Sequence, residues 1–130
     1  MNEHPLLGQF ESAQLHPFTH YEHIHVAWAY LRRDGWERGY ANIQRGLKHF
    51  AAAHGQSTKY HETITRFWAL VIQHAINTRP EIDDFEAFVE AFPLLLDKTI
   101  LTKHFSADVL KSELARNAWH APDLIPMPAL

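Results

Sequence analysis

A chain of 130 residues with a hydrophobic fraction of 46% and four tryptophans can bury a real core and is too apolar for intrinsic disorder. Its net charge is −3 with histidine neutral, and no basic block occurs, which excludes nucleic-acid binding through phosphate contacts. With no cysteine, disulfides and thiolate metal sites are excluded too, so a divalent transition metal would need imidazole, carboxylate, tyrosine or water, a donor set suited to zinc, iron, copper, nickel or manganese.

Histidine is the anomaly, 11 in all, and it makes the charge depend strongly on pH near about 6. The start MNEHPLLGQFESAQ has neither a basic run nor a long apolar one. No apolar run approaches the roughly 20 residues of a membrane span. The expectation is a soluble, cytoplasmic protein forming a single helical domain, without a membrane or nucleic-acid partner.

Residues 1–17 read as a loosely attached arm, because His4-Pro5 and His16-Pro17 each disfavour helix at the residue before proline. Thr19 is then the N-cap of a first helix, with Glu22 completing a capping box. In this helix, FTHYEHIHVAWAYL, the residues Ile24, Ala27, Trp28 and Leu31 form an apolar face. With His20 as origin and about 100° per residue, Ile24 lies near 40° and Leu31 near 20°. His20 therefore falls at the centre of the core face and His23 on its flank, while His25 points away. The helix should stop at Asp34-Gly35, where glycine can take a left-handed cap.

A second helix follows from about Trp36 to His54, with Tyr40, Ile43, Leu47 and Phe50 on one stripe. Gly39 and Gly46 lie beside that stripe. Each costs roughly 1 kcal/mol of helix propensity, which close approach by another helix would offset. A third helix is expected from Lys59 to Asn77, capped by Ser57 or Thr58. Asp83 or Asp84 caps a short fourth helix to Phe92, Leu94 to Phe105 forms another short one, and Ser106 caps a last one to about Asn117. The tail APDLIPMPAL, within residues 118–130, should lie extended. The fold class is all-α, an up-down bundle of four principal helices with short C-terminal ones.

Antiparallel packing through short turns would bring His20, His23, His54 and His61 to one end of that bundle. His104 would follow the fourth helix back to it. On a helix begun at Lys59, His61 and Tyr60 flank the apolar face, and Glu62 turns outward with His25. The spacings match neither H-E-x-x-H nor the paired Glu-x-x-His of di-iron bundles. No Gly-rich loop, nucleophile elbow or Cys-His pair occurs, which excludes nucleotide phosphates, α/β-hydrolase chemistry and thiol proteases.

The segments FTHYEHIHVAWAYL, HFAAAHGQSTKYHETITRFW and LLDKTILTKHFS resemble a family of small uncharacterised bacterial proteins with FTHxxHxxxAWxYL and KYHxTxT segments. The resemblance covers roughly residues 18–106 and implies that His20, His23, Tyr60, His61 and His104 form one set; it brings no activity with it. Three functions stay open. One is a metal-dependent enzyme on a small molecule, with His20, His23 and His61 as ligands and an open position to activate water or dioxygen. Another is a metal-free acid/base enzyme drawing on His61, His104 and Tyr60, with Lys103 as a further polar partner. The last is a non-catalytic module that binds a ligand or senses pH. A homo-oligomer is compatible with all three.

Overall fold

Helix α1 (His4–Glu11) opens the computed structural model, which describes residues 4–127. The expected loose arm is therefore a helix over most of its described part. Pro5 sits in the first turn, where a backbone N–H would have no intrahelical acceptor and proline costs nothing. Leu7, Phe10 and Leu15 are buried, so this segment is tied down by apolar contact.

Helix α2 (His20–Ala53) is broken at one residue: Gly35 stands at φ 78° and ψ −178°, a combination open essentially to glycine alone. The arms on either side, 20–34 and 36–53, fold back on each other. Phe18 and Phe50, each far from Gly35 along the chain, have ring centroids 4.3 Å apart. The expected stop at Asp34-Gly35 and restart at Trp36 are both present. Thr19 caps the first arm, its backbone N–H donating to Glu22 Oε1 at 2.8 Å. Burial opposes ionisation of Glu22, but the Thr19 hydrogen bonds prevail and hold its carboxyl below the ordinary value.

Gly39 and Gly46, on the second arm of α2, both occupy close approaches. A Cβ at Gly39 would stand 3.0 Å from the Leu31 Cα and the Tyr30 carbonyl oxygen of the other arm. A Cβ at Gly46 would overlap the ring of Phe10, which is fully buried and stacks 5.7 Å from Phe50. Glycine at 46 is thus a notch for α1, the element the sequence conceals best. At the hinge, Asp34 accepts from Arg33 Nε at 2.8 Å and from Asn42 Nδ2 at 2.8 Å. The Arg33 hydrogen bond is the main reason its carboxyl titrates below the usual range.

The chain divides between Tyr60 and His61 into two units. The second begins with α3 (Glu62–Thr78), which buries Thr63, Phe67, Ala69, Ile72, Ala75 and Ile76. Residues 57–59 form a separate 3-10 turn, so α3 starts later than expected and neither Ser57 nor Thr58 caps it. Asp84 caps α4 (Phe85–Ala91), accepting from Ala87 N at 3.0 Å. Pro93 starts a 3-10 turn to Leu96, then α5 (Ile100–His104) follows. Ser106 caps α6 (Ala107–Lys111) as expected, and Ser112 interrupts the run by capping α7 (Glu113–Asn117). The tail expected to lie extended bends at residues 123–125, where Leu124 N and Ile125 N donate to the carbonyls of His104 and Lys103 at 3.0 and 3.3 Å. Residues 128–130 of the expected tail lie outside the described residues.

Replacing Gly46 with alanine should destabilise the protein by about 1–3 kcal/mol, because the overpacked Phe10 ring is held between Phe18 and Phe50 and outweighs alanine's better helix propensity. Urea denaturation checks this; a stabilised G46A would show that α1 does not seat there.

Candidate functional site

The expected site residues divide between the two units. In the first, His20 opens α2 and is half-buried, one turn before the fully buried Ile24. His23 stacks on Phe18 with centroids 4.1 Å apart, and His54 stacks on Phe50 at 4.5 Å. With the Phe18–Phe50 contact, this makes a run of four rings with an imidazole at each end. His54 Nε2 also donates to the Ala13 carbonyl at 3.0 Å, so the histidine that caps the C-terminus of α2 closes the loop that follows α1.

Loss of hydration and the neighbouring His20 imidazole push the His23 pKa down to about 4, with Glu22 opposing. The side chain stays partly exposed, and solvent screens part of the effect. Tyr60 is half-buried, with the Lys48 ammonium 5.2 Å from its ring centroid. His25 and Glu62, expected to face outward, are both half-buried.

In the second unit His61 is 7% exposed and is the N-cap of α3. Its Nδ1 accepts from Ile64 N at 3.2 Å, and its Nε2 contacts the Leu110 carbonyl at 2.8 Å. Those partners determine the tautomer. A backbone N–H can only donate, so Nδ1 carries the lone pair; a carbonyl can only accept, so Nε2 carries the proton. Both nitrogens of a neutral ring are thereby used.

Thr63, two residues on, is fully buried; its hydroxyl donates to the Ala118 carbonyl at 2.9 Å and accepts from His120 N at 3.0 Å. Sequence reasoning passed over Thr63. The signal was available in the second half of KYHETIT, since a threonine in phase with Phe67 on a buried helix face needs partners. His104 is half-buried, leans on Phe67 at 5.4 Å and donates from Nδ1 to the Ile125 carbonyl at 2.7 Å. In its neutral form the lone pair is on Nε2, the nitrogen able to take a proton.

Among the described residues no group of three or more His, Asp or Glu side chains could hold an ion. His61 could ligate only by giving up its helix cap or its bond to Leu110. Among the described residues no helix is long and apolar enough to cross a membrane. Compared with protein families, curated proteins and solved structures, the chain matches none.

His61→Leu should strand Ile64 N–H and the Leu110 carbonyl and cost about 1–3 kcal/mol at pH near 8. His61→Asn, which can cap α3 through its amide oxygen, should recover about 1 kcal/mol of that loss. Chemical denaturation of both variants checks this. Equal stability of His61→Leu and wild type would mean that the histidine is kept for something other than the fold.

Proposed function

We propose that this chain is a non-catalytic helical module whose fold responds to pH through histidine. His61 carries the reading. It is buried, and the two hydrogen bonds that begin α3 and tie it to the end of α6 are served together only by a neutral ring. A proton on Nδ1 would replace an acceptor with a donor aimed at the Ile64 N–H, and the cap would be lost. In the first unit His23 carries the pH dependence, since loss of hydration against Phe18 and the neighbouring His20 disfavour its imidazolium.

The proposed consequence is graded loosening under mild acid, exposing surfaces that a ligand or partner could meet. A metal-dependent enzyme built on His20, His23 and His61 needs His61 to be released first. Tag-free protein that retains close to one equivalent of a transition metal by elemental analysis would overturn the present reading.

The sign follows from linkage. The folded pKa of His23 lies below its unfolded value of 6.5, so the unfolded chain binds more protons between the two. Stability should hold above about pH 6.5 and fall as the pH drops from there toward about 4. Denaturation midpoints across that range should show the decline in wild type and a shallower one in the His23→Phe/His61→Asn double variant. A wild-type midpoint that is flat across the window contradicts the proposal.

A further inference from the structure

We infer that the α2 hairpin is an exchange device: opened at Gly35, it becomes one continuous helix that pairs with a second copy of this chain. Gly35 is the one residue of α2 outside helical geometry, and the residues on both sides of it are already helical. Rotating its two backbone angles is therefore enough to convert a hairpin into a straight rod. Nothing else in the sequence forbids that rod, because no proline stands between Pro17 and Pro80. A side chain at position 35 would meet nothing within 4 Å, so only backbone conformation keeps non-glycine residues out of the closed form.

The occupant follows from the surface that opening uncovers. Leu31 on one arm, 3% exposed, lies against Gly39 on the other, and Phe18, just before the first arm, lies against Phe50 on the second. Gly39 is shaped to receive the backbone at Tyr30 and Leu31, and Asp34 to receive Asn42. A straight helix separates each of these pairs along its own chain. Only another chain offering the same two arms supplies every partner at once, which is the condition for exchange of an identical element between protomers. Closed monomer and exchanged dimer then share their contacts and differ at one residue. That residue decides the balance.

The test uses the full chain and Gly35→Ala, with light scattering and a distance measurement. Because the protein has no cysteine, Tyr21→Cys and Ala52→Cys give two clean nitroxide sites near the free ends of the arms. In the hairpin the labels should lie within about 20 Å, two helix diameters. In an open helix they lie about 46 Å apart along the same chain, read by pulsed electron resonance after dilution with unlabelled protein. We expect Gly35→Ala to be a helical dimer with the long distance. Gly55→Ala, which also forces a positive φ (68°) but lies beyond α2, should leave the short distance unchanged. A monomeric Gly35→Ala, a dimer with the short distance, or an unfolded chain each overturns the inference. Wild type refolded at millimolar concentration supplies an independent arm: a persistent dimer with the long distance supports exchange, and monomer alone opposes it.

Discussion

The second unit depends on a lone pair. Nδ1 of His61 takes the N–H of Ile64 and begins α3, while the proton on Nε2 of the same ring holds the Leu110 carbonyl near the end of α6. Two residues on, the Thr63 hydroxyl repeats the arrangement with Ala118 and His120, so the first turn of α3 gathers the chain that follows α7 as well. Each is a buried polar group with its capacity filled, the state in which such groups stabilise rather than cost. His104 extends the pattern by anchoring the tail at Ile125. Three histidines of this unit, His61, His104 and His120, bind backbone carbonyls. Their ring nitrogens go into holding segments of backbone together.

The first unit rests on a steric constraint. Gly35 turns the chain, Gly39 lets the two arms touch at backbone distance, and Gly46 admits the Phe10 ring. Phe10 then meets Phe18, Tyr30 and Phe50, and the Tyr30 hydroxyl donates to Glu11 at the end of α1. Burial first, then the carboxylate beside it, raises the Tyr30 pKa, which keeps that hydroxyl a donor throughout the range in which histidine titrates. Imidazoles finish the ring stack at both ends.

Much of the fold was legible because its punctuation is local. Thr19 with Glu22, Asp84, Ser106 and the Asp34-Gly35 stop are short-range signals whose chemistry is complete within one turn. Helix α1 was missed because Pro5 was weighed for its effect on His4 rather than for its fitness in a first turn. The start of α3 was placed too early because Ser57 and Thr58 are favoured caps and histidine is not. That one displacement changed the phase assigned to everything near it. Tyr60 and His61 precede the helix, so the angular positions that set them beside an apolar face do not apply. The partner that makes His61 a cap with a second bond, Leu110, lies 49 residues away, and no local pattern encodes it.

The tautomer of His61 tests the central claim most directly. Nitrogen chemical shifts and long-range couplings of the imidazole, measured in solution at about pH 8, distinguish a protonated Nε2 from a protonated Nδ1. A ring with the proton on Nε2 and an unprotonated, hydrogen-bonded Nδ1 is the predicted result. A proton on Nδ1 at that pH would contradict the account, because His61 could not then cap α3.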